Sequence, residues 1–274
     1  MLIDYYDRYQ KKYAQERVYG ELWLRRLYGN PAGRLLARAL LKRAMFSKWY
    51  GWRMRRPASQ SKIAPFIEQY EIPTEELRTS PADYPHFDAF FSRRLKQDAR
   101  PINPDPQRLV FPADGRHSVI PKLTRETQSI LKGVSFRLPE LVGDASLADY
   151  YLGGTALISR LCPVDYHRFH FPMAGHTGAA TLVNGPLYSV NPYALRRLPG
   201  ILWQNKRYRT SIEAGDASFS YLMIEIGAAC VGNIEQTYHP NAPIHKGDEK
   251  GCFHFGGSMT VLVFPKNSVS FTND

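Results

Sequence analysis

The stretch Phe255-Gly256-Gly257-Ser258-Met259-Thr260-Val261-Leu262-Val263-Phe264 decides the reading of this chain. Its second part, 259–264, is apolar and β-branched, with no charge and no proline, which predicts a buried strand. Its first part holds two glycines, which allow close backbone approach, and then a serine that opens the strand. Taken singly, the stretch is a turn entering a strand. Comparable runs at 108–112, 118–120, 155–161, 176–183 and 221–226 alternate with Gly, Pro and Asn. That spacing predicts a mostly antiparallel, barrel-like β-sheet core over residues 107–274.

Upstream the texture changes. Residues 57–106 carry Pro57, Pro65, Pro73, Pro81 and Pro85, and read as short helices and linkers. Within them Phe87, Phe90, Phe91 and Leu95 share one face of an amphipathic turn series, opposite Arg93 and Lys96. Residues 1–28 mix Tyr with Lys, Arg and Glu and predict a helix ending at Gly29-Asn30-Pro31. A second helix is expected over 34–50, with Leu35, Leu36, Ala39, Leu40, Phe46 and Tyr50 on one arc. The expected class is α+β, with N-terminal amphipathic helices leading into a β-rich core.

Charge is unevenly placed. The 274 residues carry a net +11, yet residues 1–56 alone hold 14 basic and 4 acidic side chains, leaving +1 for the rest. A polyanion-binding surface over the whole chain is therefore excluded, and nucleic acid is not an expected partner. A basic appendage, residues 1–56, on a nearly neutral body fits instead. Trp49, Tyr50 and Trp52 lie among eight basic residues between Pro31 and Pro57, a composition suited to an anionic membrane interface. The opening MLIDYYDRYQKKY has no apolar run or cleavage signature, so no signal peptide is expected. No run of 18 apolar residues suggests a membrane span. Three scattered cysteines, Cys162, Cys230 and Cys252, make no disulfide framework.

Three segments could carry chemistry. Phe111-Pro112-Ala113-Asp114-Gly115 places an acid beside a glycine, which alone is an Asp-Gly turn. Asp165-Tyr166-His167-Arg168-Phe169-His170-Phe171-Pro172 sets two histidines three apart between Pro163 and Pro172, as in a rigid loop. In a helical turn these two would share a face, and in a strand they would not. With Ser258 the three supply Asp, His and Ser in chain order. An Asp can hold a His, the His can take a hydroxyl proton, and the Ser can attack a carbonyl.

With their flanks, these segments resemble the phosphatidylserine decarboxylase family, whose pattern runs from Pro-x-Asp-Gly through Asp-Tyr-His-Arg-x-His-x-Pro to Gly-Ser. The resemblance extends to Phe90-Phe91-Ser92-Arg93-Arg94-Leu95, to Gly185-Pro186-Leu187-Tyr188-Ser189-Val190-Asn191-Pro192, and to Lys246-Gly247-Asp248-Glu249-Lys250-Gly251-Cys252-Phe253-His254. It covers residues 87–264 in order. Met259 departs from it, since many relatives carry Thr after the serine.

The resemblance implies a proenzyme that cuts itself between Gly257 and Ser258, giving a β chain, 1–257, and an α chain, 258–274. It implies that His170 deprotonates Ser258, that Asp114 orients His170, and that Ser258 becomes a pyruvoyl cofactor. It further implies a carboxy-lyase converting phosphatidylserine to phosphatidylethanolamine and CO2, with His167 assisting at the substrate carbon. The expected setting is peripheral, at the cytoplasmic face of the cell membrane, with self-association into a homo-oligomer left open. Two alternatives are an uncleaved lipid-binding homologue and a Ser-His-Asp hydrolase, though Gly256-Gly257-Ser258-Met259-Thr260 lacks the later glycine of a nucleophile elbow. No metal is expected, because His239, His245 and His254 lack ligand spacing.

Overall fold

A computed structural model describes residues 4–15, 44–129, 134–188, 200–215, 219–228, 234–256 and 258–271. The chain opens with a hairpin, β1 (Asp4–Asp7) and β2 (Lys12–Gln15), where a helix was expected. The Asp7 carboxylate accepts the N–H groups of Tyr9 and Gln10, which closes a turn that Lys11 completes at φ 51. This local side-chain bonding competes with the helix ladder, and Tyr6 packs edge-on against Tyr13 across the strands. The expected helix over 34–50 lies largely outside the described residues. Its end is helical, as part of α1 (Ala44–Met54).

Next come α2 (Ile63–Tyr70) and α3 (Phe87–Phe91), joined by short 3-10 turns at the prolines. Phe87, Phe90 and Phe91 of α3 meet Met54, Ile63, Phe66, Ile72, Leu77 and Tyr84 in a small aromatic core. One further member comes from far along the chain: Phe255, in contact with Phe87 and Phe91 at 5.2 and 4.9 Å between ring centres.

The body follows as β3 (Arg116–Ile120), β4 (Glu126–Ser129), β5 (Val134–Arg137), α4 (Leu138–Val142), α5 (Ala145–Asp149), β6 (Thr155–Leu161), β7 (Arg168–His170), β8 (Gly175–Thr177), β9 (Thr181–Val183), α6 (Ile201–Gln204), β10 (Arg207–Ala214), β11 (Ser220–Ile226), β12 (Ile234–Gln236), β13 (Ala242–Ile244), β14 (Glu249–Phe253) and β15 (Ser258–Phe264). The main sheet runs β13-β8-β10-β11-β15-β6-β3, all antiparallel, with β9 also on β10. It is open: β13 and β3 form its two edges, so the barrel-like expectation is corrected to an open antiparallel sheet within an α+β fold. A second sheet orders β12-β14-β7.

Two expected strands also differ. The run 176–183 divides into β8 and β9 around Gly178, both pairing with β10. Residues 108–112 form no ladder, since Pro106 precedes them, Pro112 ends them and proline cannot donate. They are instead anchored where Pro172 O accepts the Val110 N–H at 3.0 Å.

β15 is the best buried strand. All seven of its residues are buried, and it pairs with β11 on one side and β6 on the other. A parity of two along strands leaves no exposed position here because both sheet faces are covered. Among the described residues no helix is long and apolar enough to cross a membrane.

Candidate active site

Ser258 is the first residue of β15 and is 0 % exposed. Its register partner is Leu161. Directly opposed residues of an antiparallel pair share a face, as do residues two apart. Ser258 therefore shares its face with Thr260, and Thr260 lies between Ser159 on β6 and Glu225 on β11. A row of polar side chains thus crosses an apolar sheet beside Ser258. The Oγ of Ser258 and the Oγ1 of Thr260 are buried without a hydrogen-bond partner among the described residues.

Glu225 and Lys250 extend this polar interior, and sequence reasoning missed them as a pair. Both are wholly buried, with Lys250 Nζ 2.9 Å from Glu225 and 2.8 Å from Gln236 Oε1. Burial pushes the Glu225 carboxyl up and the Lys250 ammonium down, and each charge opposes the other's shift. A lone acid inside the apolar run 220–226 was the available signal. Its partner lies on another strand, which no local pattern reveals.

The Asp114 segment reaches the same place from the other side of β6. Gly115 sits at φ 143, and a Cβ there would lie 2.5 Å from the carbonyl oxygen of Arg160, so the backbone approach requires glycine. The neighbour of Arg160 on β6 is Leu161, the partner of Ser258, so the Asp114 turn is one strand removed from the serine. The Asp114 carboxylate binds the Arg100 guanidinium, at 2.8 Å to Nη2, and Arg100 also pairs with Glu76. Arg116 holds Asp165 through both carboxylate oxygens at 2.9 and 3.0 Å, tying this segment to the histidine segment. Asp165 in turn accepts the Cys162 N–H at 2.6 Å.

One histidine is in a strand and the other in the loop before it. His170 ends β7 and His167 immediately precedes it. His167 is 0 % exposed and its ring lies 3.9 Å from that of Phe91. Its Nδ1 is 2.9 Å from the Asp165 carbonyl, which assigns the proton to Nδ1 and leaves a lone pair on Nε2. That Nε2 has no partner among the described residues. Burial, with the Arg93 charge added, holds His167 down to about 3.

His170 lies opposite Glu249 in the β7–β14 ladder and stacks on Tyr166. Burial lowers its pKa, while the charges of Glu249 and Asp114 oppose that shift. Asp114 thus acts on His170 through charge; among the described residues no hydrogen bond joins the two, and Asp114 is held by Arg100. Arg93 is buried too. One Nη donates to the Val164 carbonyl at 3.0 Å, while its Nε and other Nη have no partner among the described residues. Gly257 lies outside the described residues.

The segment before Ser258 is pinned by Asp88 of α3. Its Oδ1 accepts the Phe255 N–H at 2.8 Å, and its Oδ2 meets His254 Nδ1 at 2.9 Å and Arg55 at 3.4 Å.

An antiparallel sheet with a buried serine at the head of a central strand, flanked by an Asp-Gly turn and a His-containing strand, defines a class of protein. The phosphatidylserine decarboxylase family model matches residues 87–274, and the chain belongs to that family. Among similar curated proteins is the phosphatidylserine decarboxylase proenzyme of Clostridium botulinum (strain Langeland), 41% identical across 100% of this chain and 92% of that protein. The proteins of the same name from Clostridium beijerinckii and Clostridium perfringens (strain SM101) are each 38% identical over the same shares.

Proposed function

We propose that this chain is a phosphatidylserine decarboxylase made as a proenzyme, a carboxy-lyase that first cuts itself between Gly257 and Ser258. The observation that carries the reading is the burial of Ser258 Oγ, wholly enclosed and unpartnered among the described residues. An enclosed hydroxyl cannot meet an outside ester or peptide, so its first carbonyl is the one preceding it in the chain. This argues against the hydrolase alternative.

In this reading His170 takes the Ser258 proton and Asp114 steadies the resulting imidazolium by its charge. The assignment rests on burial and charge: His170 is less deeply buried and meets the carboxylates of Glu249 and Asp114 as well as the cations Arg168 and Arg94, whereas His167 is wholly buried beside the cation Arg93. A base must carry the proton it accepts, which suits His170 better. Ser258 Oγ then attacks the Gly257 carbonyl, and the peptide bond to the Ser258 nitrogen breaks as the ester forms.

The site residues fit a pyruvoyl group built from Ser258: the buried orphan hydroxyl, the free Nε2 of His167 and the open N–H positions of Arg93. Such a group supplies a ketone that takes the substrate amine and accepts the electron pair left by CO2. In this reading His167, whose Nε2 has no partner among the described residues, assists at the substrate carbon. Arg93 offers buried donors to the anionic headgroup of phosphatidylserine. The basic residues 1–56 hold the protein against an anionic membrane at the cytoplasmic face, supported by Trp49 and Trp52, which are about half exposed and stacked with Arg53 and Arg56.

Intact-mass measurement of the purified full chain tests the reading. The expected result is two chains, 1–257 and 258–274, the smaller lacking a free amine, while Ser258→Ala stays whole. A single full-length mass for the wild type would overturn it.

A further inference from the structure

β12 and β14 pair so that Glu235 stands directly opposite Cys252. His254 follows two residues after Cys252, on the same side of the extended chain. The register therefore gathers a carboxylate, a thiol and an imidazole that are scattered in sequence. One donor atom from each lies within 4.8 Å of the others. His254 Nε2 is 3.0 Å from Glu235 Oε2, and Cys252 Sγ is 3.6 Å from the same oxygen.

Tetrahedral zinc holds N, O and S donors with bonds of about 2.0–2.3 Å, which sets those donors roughly 3.3–3.8 Å apart. The two spacings to Glu235 Oε2 need only a few tenths of an ångström of adjustment, and Cys252 and His254 have donor atoms within 4.8 Å of each other. The second nitrogen of His254 is already engaged by the buried Asp88 carboxylate at 2.9 Å, the outer partner that metal-bound imidazoles characteristically have. Glu235 is half exposed, which leaves a fourth position open to water.

We propose that Glu235, Cys252 and His254 bind one divalent transition-metal ion of the zinc type, with Asp88 orienting His254. Binding displaces the protons of the Cys252 thiol and of His254 Nε2. The ion would clamp β12 to the strand that leads into Ser258, with Asp88 linking both to α3. The site shares no residue with Asp114, His167, His170 and Ser258, and it amends the expectation of no metal, which set His254 aside on sequence spacing although its ligand partner Glu235 comes from across a strand.

The test is cobalt titration of the chelator-treated full chain. One equivalent of Co2+ should raise visible d–d bands together with a near-ultraviolet thiolate band, and Zn2+ should bleach both. Cys252→Ser should abolish the thiolate band, and His254→Gln should weaken binding at least tenfold. Asp88→Asn should weaken it by about 10–100-fold. Circular dichroism confirms that each variant is folded, and Cys162→Ala, if folded, should keep the band. Absence of a stoichiometric cobalt spectrum in the wild type overturns the proposal. So does a thiolate band that survives in Cys252→Ser, which would assign the ion to another thiol.

Discussion

The chain on either side of Ser258 is held by opposite means. After it, β15 is fixed by two backbone ladders and by complete apolar burial. Before it, beyond the end of β14, residues 254–256 are fixed mainly through side chains, His254 and the Phe255 N–H to Asp88 and the Phe255 ring within the helical aromatic core, while β14 itself adds the pairs Glu249–Arg168 and Lys250–Glu225 to its ladders. Ladders and apolar burial involve no ionisable group, so pH and the loss of a single charge leave them unchanged. Charge pairs depend on every partner. A cut between the two would leave the short α chain anchored by the ladders, while the adjustable contacts stay with the β chain.

The comparison can be broken most severely on the ladder side. Val261→Asp places an unpaired charge between two sheets of side chains and should cost about 5–15 kcal/mol, the whole stability of a domain. Soluble yield and far-ultraviolet dichroism will report its failure to fold. On the side-chain side, Lys250→Met strands Glu225 in the interior and should cost about 3–5 kcal/mol in urea unfolding. Replacing Glu225 by Leu in the same molecule should recover most of that loss. Without recovery, the pair is not what supports the segment.

Asp88→Ala deprives the buried Phe255 N–H of its acceptor. It should cost about 1–3 kcal/mol by the same assay and slow self-cleavage, because the segment before Ser258 loses its pin. A pH profile sharpens the contrast further. Burial lowers the His170 pKa, so the neutral, proton-accepting form persists as pH falls through about 6.5. Time courses of proenzyme cutting should stay flat through that region and drop only below it. Glu249→Gln removes an opposing charge and should move the drop lower still. A drop centred above the ordinary imidazole range would exclude His170 as the base. Smallest of all, Arg94→Ala removes a half-exposed partner of Glu249 and should change stability by less than about 1 kcal/mol.

How far these contacts could be read in advance follows the same divide. The strand at 259–264 was legible because an uncharged β-branched run has few other uses, and the structure adds only Ser258 to it. The Asp-Gly turn was legible because only glycine tolerates the approach to Arg160. The pairs Glu225–Lys250 and Glu235–Cys252 were not, since they depend on which strands become neighbours and in what register. The N-terminal hairpin was misjudged for a local reason. Tyrosine suits helix and strand alike, and the Asp7 side chain decided the turn. For Asp114 the sequence suggested a histidine partner, and the structure supplies Arg100, an arginine 14 residues upstream in the proline-rich stretch.

The central place of β15 also orders events in time. Its partner β6 lies about 100 residues earlier, and every other strand of the main sheet leaves the ribosome before it. The sheet consequently stays split between β6 and β11 until β15 is made. Only then is Ser258 enclosed beside the segments that would activate it. If the chain is cut before Ser258 as proposed, a chain stopped short of β15 lacks both the serine and the strand that seats it, so the cut form would report that β15 had been made and placed.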